Sequence, residues 1–324
     1  MSSPVAKQRG LVPAIVLAAC CAYFYAPSSY GQADNGQAER ISPKSGITAE
    51  SRIEKLIDRG RLREAREALR ERSAQAGEHP RMLLFEAMIL YKEKHYLESI
   101  RKLERSLSLN YGDPDVFKLI GLNLVSLGKE DLAGRYFEIA IDLAPRDYMA
   151  RYYLGLYQLS NKHYDQAEAG FRRVIQLNPG YVDAYILLGV TLEQRGNETE
   201  AIRTYHQAID LSEQQNPNQE TPFLYLARLL ISLQSYELSL PPLERAVEIN
   251  PKSSEARTLL GRALNQLGRY EKALPFLQDA VKLAPQDKTS HYLLMSVYQK
   301  LGKREEAQRE MRLFLELEEK EKKK

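Results

Sequence analysis

The chain has no tryptophan, two cysteines and five histidines among 324 residues, and each scarcity removes a class of chemistry. Both cysteines, Cys20 and Cys21, lie near the N-terminus, so the sequence after them supports neither a disulfide framework nor a thiolate zinc site. His79, His95, His163, His206 and His291 are scattered, with no partner at metal-ligand spacing, and HExxH does not occur. GxxxxGKS/T, GxSxG and CxxC are missing as well; Gly128-Lys129-Glu130 reads as a turn. Carboxylates are plentiful, but on amphipathic helices they form the wet face, and no catalytic pair stands out. The expectation is a chain without enzymatic activity, metal or cofactor. An excess of one charge is also missing, with 46 basic residues against 43 acidic and a net charge of +3. After residue 33 the balance is 44 to 43, which argues against a nucleic-acid partner held by bulk charge.

Long apolar runs are confined to one. Leu11 to Ala26 follows Lys7 and Arg9, and a polar segment ends in Gly31-Gln32-Ala33, which reads as an export signal over residues 1–33. Three outcomes stay open. Cleavage after Ala33 releases a soluble protein. Leu17-Ala18-Ala19-Cys20 is similar to the lipobox of bacterial lipoproteins, which implies lipidation at Cys20, although the apolar run continues through Cys21-Ala22-Tyr23-Phe24-Tyr25. Retention as an anchor is the third, with a run of 16 residues against the ~20 that a membrane span needs. The expected location is exported, periplasmic or membrane-associated in a bacterium, with the membrane reached only through the N-terminus. Residues 34–45, DNGQAERISPKS, are polar and aperiodic and read as a linker.

What is present is a repeat. Pro114 to Asp147 is 34 residues long and contains two helical periods, Phe117 to Leu127 and Leu132 to Leu143, separated at Gly128. Asp113 is placed to accept first-turn amide hydrogens, and Pro114 has none to satisfy. Glycine tolerates the left-handed conformation that ends a helix, and Pro145 stops the second helix. Small residues recur at the eighth place (Ala87, Gly121, Gly155, Gly189, Ala227, Gly261) and at the twentieth (Ala65, Ser99, Ala133, Ala167, Ala201, Ser239, Ala273, Ala307). Large ones recur at the twenty-fourth, Leu69, Leu103, Phe137, Phe171, Tyr205, Leu243, Leu277 and Met311, and are expected to fill the space between one pair and the next. The units are 46–79, 80–113, 114–147, 148–181, 182–215, 220–253, 254–287 and 288–321, with Asn216 to Gln219 inserted and 322–324 a charged tail.

This pattern resembles the tetratricopeptide repeat, most clearly from Tyr148 to Tyr181 with Gly155, Ala167, Phe171 and Pro179. The resemblance implies an all-α fold, a right-handed superhelical solenoid of about eight antiparallel helix pairs. Pro241, Pro242 and Pro275 fall inside second helices and are expected to bend them or delay their start. In proteins similar to this one the first helix of each pair lines a concave face where protein or peptide partners bind. Places 2, 5, 9 and 12 share one helix face. The partner-binding groove expected there contains Leu84, Met88 and Tyr91, then Lys118 and Leu122, then Met149, Tyr152 and Leu156, then Ile186 and Val190. Leu224, Arg228, Arg262 and Tyr292 continue it, with Arg228 and Arg262 forming a cationic end suited to a carboxylate.

The family's clamp for acidic C-termini needs polar residues where Leu122, Tyr152 and Leu156 stand, so that specific use is not expected. Leu154, Gly155, Ala167 and Phe171 fill the core places of the fourth unit, and Met149, Tyr152, Leu156 and Leu159 read as a surplus apolar strip of the kind that marks an interface. Packing against a neighbouring helix, the linker or a second copy is the alternative use. The functional expectation is a non-catalytic scaffold or adaptor of the cell envelope that binds another protein in its groove, with self-association open. A rival reading is an accessory subunit that delivers substrates to a separate peptidase or glycan-modifying enzyme. If the strip is an interface, Tyr152→Glu with Leu156→Glu abolishes partner capture and leaves the melting temperature unchanged.

Overall fold

The computed structural model describes residues 49–322, and the leader, the linker and Cys20 lie outside the described residues. The chain divides after Pro179 into two compact units. The first unit contains α1 (Ala49–Asp58), α2 (Leu62–Ala76), α3 (Pro80–Lys92), α4 (Tyr96–Leu109), α5 (Pro114–Ser126), α6 (Glu130–Leu143), α7 (Tyr148–Ser160) and α8 (Tyr164–Leu177). The second contains α9 (Val182–Gln194), α10 (Glu198–Gln215), α11 (Thr221–Ser232), α12 (Tyr236–Ile249), α13 (Ser254–Gln266), α14 (Tyr270–Leu283), α15 (Lys288–Lys300) and α16 (Arg304–Lys322). No strand occurs among the described residues. Within each unit, consecutive helices form hairpins, and the second helix of a hairpin also packs on the first helix of the next.

Local chemistry explains the boundaries. Asp113 accepts the amide hydrogen of Asp115 at 3.0 Å and Asp147 that of Met149 at 2.8 Å, so each side chain satisfies one of the free donors at a helix start. Each hairpin turns through one left-handed residue, such as Gly128 at φ 70°. The following amide, Lys129, donates back to the Leu124 carbonyl at 2.8 Å and closes the helix end. Lys94, Lys162 and Gln234 hold the same conformation at φ 66°, 62° and 58°, where glycine would avoid the steric cost.

The pairs are close because of the eighth and twenty-fourth places. A Cβ on Gly121 would lie 2.4 Å from Cε1 of Phe137, and one on Gly189 would lie 2.4 Å from Cε1 of Tyr205. Gly155 and Phe171, and Gly261 and Leu277, repeat the arrangement at 2.9 Å and 2.5 Å. This adds to the expectation that the large residues fill the space between pairs: in these four pairs each is seated on the glycine of its own pair as well. Phe137 then reaches the next pair, with its ring 5.6 Å from that of Tyr153, and Tyr205 reaches Tyr225 at 5.9 Å.

The interior prolines do not delay their helices. α12 and α14 begin at Tyr236 and Tyr270 and run through Pro241, Pro242 and Pro275. The buried His291 joins α15 to α16, with Nδ1 2.6 Å from Glu310 and Nε2 3.2 Å from the Pro285 carbonyl. The packing makes a paired prediction. Gly121→Ala forces a methyl into the Phe137 ring and is expected to cost about 1–3 kcal/mol. Gly170→Ala, whose Cβ meets nothing nearer than 3.6 Å, is expected to gain up to about 1 kcal/mol from helix propensity. Urea unfolding followed by circular dichroism measures both, and equal losses would contradict the seating argument.

Candidate functional site

The first-helix face of the first unit is closed. Tyr152 and Leu156 are 2% and 1% exposed, and Leu84, Tyr91, Leu122, Met149 and Leu159 are buried with them. Met88 is partly buried against the cluster of Ile53, Ile57 and Phe85. The surplus apolar strip expected from the repeat therefore does not exist. The reason is coverage: these side chains are roofed by their own second helix and by neighbouring helices, as when Tyr152 sets its ring edge-on to Phe171 at 6.2 Å. In this unit first helices also pack on the first helices of adjacent pairs, α1 on α3 and α3 on α5.

The polar residues of that face satisfy one another. Arg81 lies 3.1 Å from Asp115, 3.6 Å from Glu54 and 3.8 Å from Asp113, and its guanidinium sits 5.1 Å from the Phe85 ring centre. Lys118 binds Asp115 at 2.7 Å and also Asp147, so it is not free to hold a partner's carboxylate. Burial opposes the charge on Asp115, but Lys118 and Arg81 outweigh it and hold the carboxyl below its usual range. Burial likewise opposes the charge on Lys118, and Asp115 and Asp147 raise it above the usual ammonium range.

The second unit differs. Ile186, Val190 and Leu224 are buried, but a polar network replaces the apolar places around them. The Tyr205 hydroxyl donates to Glu193, and Arg228 Nε lies 3.0 Å from Glu255 Oε1. The Arg228 guanidinium sits 5.6 Å from the centre of the Tyr225 ring. Burial raises the Tyr225 hydroxyl, and Arg228, Glu255, Glu193 and Asp183 all act on it electrostatically. Asp183 is itself raised by burial, and no described residue pairs with its carboxylate.

Arg228 and Arg262 do not form the expected joint clamp. Arg228 already holds an internal carboxylate, Glu255, while Arg262 is exposed and has no ion-pair partner among the described residues. Tyr292 is exposed and stands beside Phe314, with ring centres 5.7 Å apart. The same period puts Asp183 and Glu193 on the groove face, although the expected set took only Ile186 and Val190 from that unit. The available signal was a glutamate at the twelfth place, where other units carry Tyr91, Val125, Leu159 and Ile231.

A tetratricopeptide-repeat profile matches residues 119–181 and 224–288, and a second such profile matches 158–217, together about half of the chain. The chain belongs to the tetratricopeptide-repeat family. Its fold is the all-α tetratricopeptide solenoid. The BBSome complex member BBS4 of Bos taurus is 25% identical over 171 residues, covering 53% of this chain and 32% of that protein. The chain thus spans about a third of the length of this curated relative. The crystal structure of the APC/C hetero-tetramer Cut9-Hcn1 matches with a TM-score of 0.62 at 14% identity, over 79% of this chain and 49% of that one. A tetratricopeptide repeat protein from Parabacteroides merdae ATCC 43184 matches with a TM-score of 0.54 at 18% identity, over 77% of this chain and 97% of that one.

Tetratricopeptide-repeat proteins are generally non-catalytic scaffolds for protein–protein interaction. Among the described residues of this one, no three His, Cys, Asp or Glu side chains are grouped to hold a metal ion. No described helix is long and apolar enough to cross a membrane.

Two tests follow from the burial. Tyr152→Glu with Leu156→Glu places two carboxylates in a sealed core and is expected to lower the melting temperature sharply or abolish folding. An unchanged melting temperature would restore the groove reading for this unit. Glu193 is pushed up to about 7 by burial, against the Tyr205 hydrogen bond and Arg228, which favour ionisation. Its folded pKa lies above the unfolded value. The stabilising contribution is therefore complete below the ordinary carboxylate range and is lost as pH rises through about 7. Glu193→Gln should gain about 2 kcal/mol on the parent between about pH 5 and about pH 8 in urea unfolding. A pH-independent difference would show that Glu193 titrates normally.

Proposed function

We propose that this tetratricopeptide-repeat protein is a non-catalytic adaptor of the bacterial cell envelope that engages a segment of another protein along its first helices, chiefly in the second unit. The observation that carries this is the contrast between the two faces. In the first unit the apolar places are sealed and the charges are internally neutralised. In the second, Asp183 on α9 and the exposed Arg262 on α13 have no ion-pair partner among the described residues, and α11, next to both helices, supplies Tyr225 and Arg228. Polar groups of opposite sign on the helices flanking one that carries an aromatic ring suit a mixed-charge segment that is oriented by hydrogen-bonded ion pairs. A curated relative named as a complex member supports a place inside a protein assembly.

The envelope location rests on Lys7, Arg9 and the run from Leu11 to Ala26, with processing at Ala33, lipidation at Cys20 or retention as the means of release or attachment. The test is affinity capture from native envelopes with the full chain and with an Asp183→Asn, Arg262→Glu variant, followed by titration of each retained protein after purification. Partners held by the parent alone, with affinity falling as salt rises, support the reading. Identical partners for both forms, or none, overturn it.

A further inference from the structure

In the seven preceding pairs the residue at the twenty-fourth place is at most 4% exposed, from Leu69 to Leu277, whereas Met311 on α16 is 42% exposed. Leu315, one turn further along α16, is 45% exposed, and Tyr292 on α15 is 51% exposed. With Phe314, these side chains make a contiguous apolar surface over α15 and α16, and no described residue packs on it. In a repeat array apolar side chains of this kind ordinarily pack against a neighbouring pair.

We infer that this surface binds a second copy of the chain, α16 against α16 about a two-fold axis. Charge selects that occupant. Arg312, Glu316 and Glu319 recur four and three residues apart, so they form one stripe along α16 beside Met311 and Leu315. All three are exposed and have no ion-pair partner among the described residues. Antiparallel pairing sets Arg312 of each copy against the acidic end of the other's stripe, twice by symmetry, with the apolar strip between. A head-to-tail contact has no such match. The exposed side chains of α1 include Arg52 and Lys55, while Ile53, Leu56 and Ile57 are buried, so α1 offers no apolar partner surface. The self-complementary contact closes as a dimer; it shares Tyr292 with the first-helix face but none of Asp183, Arg228, Glu255 and Arg262.

Sedimentation velocity of the full chain from about 1 to about 100 µM tests this, with a reversible monomer–dimer equilibrium expected across that range. Met311→Glu with Leu315→Glu is expected to raise the dissociation constant at least about tenfold without loss of helical content, since both side chains lie on the surface. Arg312→Glu alone, and Glu316→Arg with Glu319→Arg alone, should each be monomeric, and an equimolar mixture of the two should dimerise. That mixture also decides the matter if the Met311 variant fails to fold. A parent that stays monomeric over the whole range, or self-association unchanged by these substitutions, overturns the inference.

Discussion

Four of these helix pairs depend on one contact, a large side chain at the twenty-fourth place seated on a glycine at the eighth: Phe137 on Gly121, Phe171 on Gly155, Tyr205 on Gly189 and Leu277 on Gly261. At Gly121 and Gly189 the clearance to Phe137 and Tyr205 is 2.4 Å from a notional Cβ, which no real methyl could occupy. A glycine inside a helix costs about 1 kcal/mol against alanine, and burial of an aromatic ring returns more than that. The same ring touches the next pair through Tyr153 or Tyr225, so the contact that closes a hairpin also stacks the array. Close approach is transmitted from pair to pair by the ring.

That geometry decides what the first helix can offer a partner. Once a first helix is held by its own second helix and flanked by neighbours, an apolar residue on its face becomes core, as Tyr152 and Leu156 show. Only a residue that cannot be sealed cheaply leaves chemistry behind. In the first unit such residues come in complementary order, Glu54, Arg81, Asp115, Lys118 and Asp147, and cancel. In the second unit Arg228 is matched by Glu255, but Asp183 has no ion-pair counterpart among the described residues, and burial pushes Glu193 up to about 7. Surface and core are thus exchanged along a chain whose repeats look alike.

Much of this architecture was readable from residues alone. The caps at Asp113 and Asp147, the left-handed turn at Gly128 and the recurrence of small and large places follow from local chemistry and from spacing, which a linear sequence records directly. The candidate site was less readable. A helical period places Met149, Tyr152 and Leu156 on one face but does not say what lies over it. Arg228 and Arg262 were aligned correctly by the period, yet the period is blind to Glu255, which takes Arg228 from a different repeat. The prolines of α12 and α14 look like breaks, and both helices nevertheless run past them.

The sequence by itself determined that this is an all-α array of helix pairs in the tetratricopeptide family, because a period and its small residues are properties of order along the chain. Which faces are covered, which charges are already paired, and where apolar side chains such as Met311 and Tyr292 stay uncovered depended on tertiary packing. Burial and ion pairing join residues about one repeat apart or more, and their energies depend on distance and solvent exclusion that no single helical period encodes.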